Sequence, residues 1–233
     1  NRLMDDLKFA GKPTQIFSTK MLTESQRQLF KDDLVVDSDD FIKISLNRIP
    51  KPILKSKINN VVITSQNAVE AIVTSVSADE LQFKNIYCVG RKTKRLIEQK
   101  IGKVTHFEND AKNLADYLLE YMDGTEVTHF CSNIRLDTLF EILQEHHIKV
   151  TNVEAYQTVL SPKEIEPTVE GVLFFSPSNV QSYMQKNFPN ETTIAYCIGD
   201  TTATEAKKHF KNVKVAKLPT VESVIDLVNE DYK

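Results

Sequence analysis

No stretch of this 233-residue chain approaches the roughly 18 consecutive apolar residues of a membrane-spanning helix. The opening Asn1-Arg2-Leu3-Met4-Asp5-Asp6 also lacks the apolar core of a signal peptide. A cytoplasmic protein with no membrane partner is therefore expected. Cysteine is scarce, and Cys88, Cys131 and Cys197 fall in or at the end of expected strands rather than in CxxC pairs, as buried thiols of a reducing compartment do. The five histidines are scattered, and His146-His147 closes an expected helix where cations oppose the dipole, so no metal site is expected. A formal charge of −3 lacks the basic excess of a nucleic-acid binder. Neither Cys88-Val89-Gly90-Arg91-Lys92-Thr93 nor Cys197-Ile198-Gly199-Asp200-Thr201-Thr202 forms GxGxxG or a phosphate loop, so no cofactor is indicated. Ser65 and Ser176 lack the GxSxG frame of a nucleophile elbow, which argues against acyl-enzyme chemistry.

What the chain does contain is its own repeat. Tyr87-Cys88-Val89-Gly90 returns as Tyr196-Cys197-Ile198-Gly199, about 110 residues later, well beyond the period of solenoid repeats. A Ser-headed segment precedes each copy, Thr64-Ser65-Gln66-Asn67-Ala68-Val69 and then Phe175-Ser176-Pro177-Ser178-Asn179-Val180. With 41% apolar and 26% charged residues, each half can bury a core, so the repeat is read as a duplicated domain.

Short β-branched runs alternate with amphipathic stretches from Asn60 onward, the pattern of a parallel sheet with crossover helices. Strands are expected at Val61–Thr64, Ile86–Val89, Lys103–His106, Val127–Cys131 and Lys149–Val153. Helices are expected over Ala68–Ser75, Lys92–Lys100, Ala111–Met122 and Leu136–His147. The second copy has strands at Leu173–Phe175, Ala195–Ile198 and Val213–Ala216, with helices after Asn179, Thr201 and Thr220, and then runs out of chain. The N-terminus supplies the missing parts. Ile16-Phe17-Ser18-Thr19-Lys20, an amphipathic stretch to Phe30 and Leu34-Val35-Val36 are the counterpart of His129-Phe130-Cys131-Ser132-Asn133 with its helix and strand. The expected fold is α/β, two similar doubly wound parallel-sheet domains of flavodoxin type. One is discontinuous over 14–42 and 168–233, the other continuous over 56–153. The crossings at 43–55 and 154–167 read as a two-stranded connector that would permit hinge motion.

Ligands of such sheets sit beyond the carboxyl ends of the strands, where helix N-termini present free N–H groups. The loops there are rich in hydroxyls. Ser18, Thr19, Ser176, Ser178, Asn179, Thr201, Thr202 and Thr220 belong to the split domain, and Thr64, Ser65, Asn67, Thr93, Ser132 and Asn133 to the continuous one. Such groups hydrogen-bond carboxylate or phosphate, and they are also the preferred caps of any helix. Lys20, Arg91, Lys92 and Arg135 lie in the same loops and would add positive field. Tyr156, in the alternating connector segment Glu154–Val159, would turn a phenol toward one face as a proton donor.

Four segments resemble the uroporphyrinogen-III synthase family: Val62-Ile63-Thr64-Ser65-Gln66-Asn67-Ala68-Val69, Phe174-Phe175-Ser176-Pro177-Ser178, Cys197-Ile198-Gly199-Asp200-Thr201-Thr202-Ala203 and Tyr156-Gln157-Thr158-Val159. The resemblance implies two α/β domains on a two-stranded linker and no cofactor or metal. Its substrate would be the linear tetrapyrrole hydroxymethylbilane. A monomer is expected separately, because a mobile cleft sits easily with one. It implies that Thr64, Ser65, Ser176, Ser178, Thr201 and Thr202 hold substrate carboxylates and that Tyr156 assists departure of the hydroxyl. The chain departs from the family at Asn179, usually glycine, at Lys20, usually arginine, and at Arg91-Lys92, usually small. Its first ten residues match nothing there. The competing expectation is a non-catalytic binding or regulatory protein with a hinged cleft for a small anion.

Overall fold

Runs of β-branched and aromatic residues bounded by turn residues become strands here, and segments with apolar residues at helical spacing cover them. A computed structural model of the protein describes residues 13–134, 137–167 and 169–232. In chain order its strands are β1 (Thr14–Ser18), β2 (Leu34–Ser38), β3 (Ile42–Leu46), β4 (Lys57–Ile63), β5 (Gln82–Val89), β6 (His106–Glu108), β7 (Glu126–Ser132), β8 (Lys149–Leu160), β9 (Gly171–Phe174), β10 (Ile194–Cys197) and β11 (Asn212–Val215). The chain divides into two units, one taking it up to Lys43 and again from Leu160, the other Ile44–Val159.

In the split unit the order is β11-β10-β9-β1-β2, all parallel, which in that unit's own chain order is the flavodoxin arrangement. The other sheet runs β6-β5-β4-β7-β8, parallel throughout, with β3 added beside β8. Position by position, β9, β10, β11, β1 and β2 correspond to β4, β5, β6, β7 and β8. The two sheets are circular permutations of one arrangement.

Strand periodicity divides each core into two layers. In the split unit Phe17, Val172, Phe174, Ala195 and Cys197 face Val180, Tyr183, Ala203 and Ala206 of the helices Pro177–Lys186 and Asp200–Ala206. Their alternates Ile16, Leu173 and Tyr196 face Val221, Val224, Ile225 and Val228 of the helix Val221–Asp231. The other unit repeats this, with Val61, Ile63, Ile86 and Cys88 against the helices Gln66–Ser75 and Arg91–Lys100. Val62 and Tyr87 lie against Ala111–Tyr121 and Asp137–Glu145. The repeated Tyr-Cys pair thus sends its tyrosine into one layer and its cysteine into the other in both copies. Burial pushes the Cys88 and Cys197 thiols up to about 12, so both are neutral core side chains.

Several elements differ in extent from the sequence reading. The strand expected at Lys103–His106 is His106–Glu108, because the register that pairs Tyr87 with His106 leaves Val104 packed in the core from a loop. The stretch leading to Phe30 contains only the helical turn Glu24–Arg27, which is capped by Thr23 and buries none of its residues. With no apolar face to dock, nothing favours a longer helix. The segment 43–55 holds β3 and then a helical turn, Lys51–Leu54, rather than strand throughout. β8 runs without a break from the sheet to Leu160, while 161–166 form no strand. Arg135, Leu136 and Thr168 lie outside the described residues, as do the first ten.

One core position is an imperfect fit. Ser182, fully buried in the helix Pro177–Lys186, has no hydrogen-bond partner for its hydroxyl. An unpaired buried hydroxyl costs about 1–3 kcal/mol. Ser182→Ala is therefore expected to stabilise the protein by about 1 kcal/mol, read as a higher midpoint in urea at unchanged slope.

Candidate active site

Because the five strands of each core sheet are parallel, their carboxyl ends form one rim per unit, and the expected site residues follow those ends. In the continuous unit the helix after β4 is capped by Ser65, whose Oγ accepts the Asn67 N–H at 3.1 Å. In the split unit the helix after β9 is capped by Ser176, which accepts the Asn179 N–H at 3.1 Å. The two caps hold equivalent places beside the central strand of their sheets. Both serines, with Thr64, Asn67, Ser178 and Thr201, are partly exposed, and Lys20 is exposed.

Tyr156 on β8 is partly buried in the continuous unit and comes to the Ser65 side chain. Burial holds its phenol above the ordinary tyrosine range, the hydrogen bond with Ser65 partly offsets this, and the neighbouring Cys131 side chain adds to it. A phenol held in this way is neutral at physiological pH and retains a proton to donate. Thr64 is paired as well, its Oγ1 lying 3.2 Å from Nε2 of the buried His129 on β7. His129 was not among the expected site residues. The available signal was a polar residue where the sequence repeat sets Ile16, although the strand registers make Ser18 its counterpart.

Other expected ligand groups are engaged by the protein itself. Ser18 is fully buried and donates to the Lys20 carbonyl at 2.7 Å, and Thr19 donates to the Leu173 carbonyl at 2.7 Å. Asn179 is 2% exposed, and its Oδ1 accepts the Phe175 N–H at 3.1 Å, so this departure from the family glycine clips the turn ahead of its own helix. Thr93 and Thr202 are buried. Ser132 and Asn133 bond to Thr158 on β8, at 2.8 Å between the hydroxyls and 2.7 Å from the Thr158 N–H to Asn133 Oδ1. The two repeated glycines differ. Gly90 has φ 91°, a left-handed conformation that favours glycine, whereas Gly199 at φ −164° is extended. Neither helix after them has a side-chain cap.

These features define a class of protein: two permuted flavodoxin-type units, each with a hydroxyl-capped helix at the end of its central strand, suited to carboxylates or phosphates. Residues 36–226 match the family model described as uroporphyrinogen-III synthase HemD, and the chain belongs to that family. A curated relative, the porphyrin biosynthesis protein HemD of Ruminiclostridium josui, is 28% identical over 189 residues, 73% of this chain. The chain spans only 37% of that relative's length. Among solved structures, uroporphyrinogen-III synthetase of Helicobacter pylori matches over 93% of this chain and 99% of its own, with a TM-score of 0.61 and 16% identity. A mutant uroporphyrinogen III synthase of Thermus thermophilus matches over 93% and 98%, with a TM-score of 0.69 and 13% identity. At such identities the structural likeness establishes the fold. Among the described residues no helix is long and apolar enough to cross a membrane.

Proposed function

We propose that this chain cyclises hydroxymethylbilane to uroporphyrinogen III, with loss of water and inversion of ring D. Hydroxide leaves the hydroxymethyl carbon of ring A as the pyrrole nitrogen lone pair forms an azafulvene cation. The substituted carbon of ring D attacks that cation, and the resulting spiro intermediate rearranges as the macrocycle closes. The reactive pyrroles supply this chemistry, so the protein acts mainly by holding the chain in the conformation that favours spiro attack over direct closure. Substrate carboxylates are the handles, and the partly exposed hydroxyls suited to take them are Thr64 and Ser65 in the continuous unit and Ser176, Ser178 and Thr201 in the split unit, with Asn67 and Lys20 alongside. Thr202, expected among them, is buried. Tyr156 donates a proton to the departing hydroxide. In the same proposal the protein is a cytoplasmic monomer that needs neither metal nor cofactor.

One observation carries the reading: the hydroxyl cap recurs beside the central strand of both sheets, Ser65 and Ser176, in a chain of this family. The test supplies freshly prepared hydroxymethylbilane and separates the isomers after oxidation. Predominantly type III product is expected. Type I product at the spontaneous rate would instead leave the chain as a non-catalytic binder of anions.

A further inference from the structure

Ser132 and Asn133 end β7 at a break in its pairing with β8. The ladder is regular from Glu126↔Lys149 to Cys131↔Glu154, then shifts, so that Ser132 stands opposite Tyr156 and Ala155 is passed over. Such a bulge re-aims the side chains beyond it. Past the shift β7 stops, yet β8 continues to be held by this turn. The Asn133 N–H donates to the Tyr156 carbonyl at 3.2 Å. The Asn133 carboxamide then takes the place of a strand residue, with Oδ1 accepting the Thr158 N–H at 2.7 Å and Nδ2 donating to the Thr158 carbonyl at 3.4 Å. Ser132 Oγ completes the set, 2.8 Å from Thr158 Oγ1, donating to Asn133 Oδ1 at 3.0 Å and accepting the Ile134 N–H at 3.2 Å.

We infer that the Ser132-Asn133 turn is a positioning clamp, which fixes β8 at Tyr156 and Thr158 and so aims the Tyr156 phenol. It carries the role that sequence reading gave to substrate contact at these two residues. The reason is geometric. Alternation puts Tyr156 and Thr158 on the same face of β8, and the turn bonds the backbone at both. Without the turn β8 would be held there from the β3 side alone, which leaves the phenol freer to rotate away from Ser65. Oδ1 of Asn133 already accepts two hydrogen bonds and its Nδ2 donates one, so the acceptor of the carboxamide is spent on the protein.

The inference rests on the proposed reaction, and its test separates the two. Four variants are compared by steady-state kinetics with hydroxymethylbilane: Asn133→Ala, Asn133→Asp, Tyr156→Phe and the double variant of Asn133→Ala with Tyr156→Phe. Asn133→Ala is expected to lower kcat about three- to tenfold with KM within about twofold, since a misaimed donor affects the transition state more than binding. Asn133→Asp keeps the acceptor for the Thr158 N–H and should restore most of the loss. In the double variant the Asn133 change should cost nothing beyond Tyr156→Phe alone, the signature of one residue acting through another. Additive losses, or a KM that rises with kcat unchanged, would overturn the clamp and return Asn133 to substrate binding. A readout independent of turnover is the Tyr156 ring resonance in 13C-tyrosine-labelled protein, assigned by its disappearance in Tyr156→Phe. It should shift in Asn133→Ala and return in Asn133→Asp. If it stays in place the clamp is wrong even in an active enzyme, and if it moves in a protein that forms no type III product, the clamp stands and the proposed reaction falls.

Discussion

Tyr156→Phe should lower the rate of type III formation by about tenfold to a hundredfold while the protein stays folded. A positioned proton donor contributes about 10²–10⁴ in favourable cases. The lower part of that range or below is expected here, because the substrate's own pyrroles drive loss of the hydroxyl. The substitution removes one oxygen beside Ser65 and keeps a ring packed against the core of the continuous unit. Its stability cost is therefore small, about 1 kcal/mol or less. Rate and stability separate cleanly as a result: thermal melts should nearly coincide while kcat drops and KM moves little. An unchanged rate in a folded Tyr156→Phe protein would remove Tyr156 from the chemistry without touching family membership.

The largest stability effect is expected at Gly171, the first residue of β9 in the middle of the split unit's sheet. A Cβ there would lie 2.7 Å from Cε2 of Tyr196 and 2.9 Å from Cδ1 of Ile16. The end of the Ile16 side chain can turn aside, but the Tyr196 ring cannot yield easily. Tyr196 is fully buried, and its hydroxyl donates to Asp231 Oδ2 at 2.7 Å, which holds the ring at its far end. Overpacking of this kind costs about 1–3 kcal/mol, against a gain of about 0.4–1 kcal/mol from stiffening the unfolded chain. Gly171→Ala should thus lose about 1–2 kcal/mol, a fall in melting temperature on the order of 5 °C, and Gly171→Val should lose more. Gly199→Ala is the control. Its Cβ would meet nothing within 4 Å and its backbone is extended, so its stability should stay within about 0.5 kcal/mol of the parent. A Gly171→Ala protein melting with the parent would mean that the Tyr196 ring is less confined than its bond to Asp231 implies.

Much of the architecture was legible because it rests on short-range pattern. The continuous apolar runs Val61-Val62-Ile63 and Ala195-Tyr196-Cys197 announce strands buried on both faces, and the four-residue repeat at Tyr87 and Tyr196 pairs the strands that carry it. The caps Ser65 and Ser176 were legible for the same reason, since a cap acts on an N–H two or three residues away. The site itself was read less completely. Ser18, Thr19, Asn133 and Asn179 carry the right chemistry in the right loops, yet their polar atoms bond to the protein. His129, which lies against Thr64, went unnoticed because a histidine inside a strand resembles a core residue until its neighbour is known.

Composition and periodicity by themselves determined that this is an α/β protein of two permuted copies with hydroxyl-rich strand ends, because those features are written over a few residues at a time and then repeated. Tertiary structure alone decided which hydroxyls are spent and which are presented. Thr19 meets Leu173 across 154 residues, Thr64 meets His129 across 65, and Asn133 meets Thr158 across 25. Each of those meetings depends on strand order and register, and a shift of one residue in a parallel ladder would turn every such side chain to the opposite face.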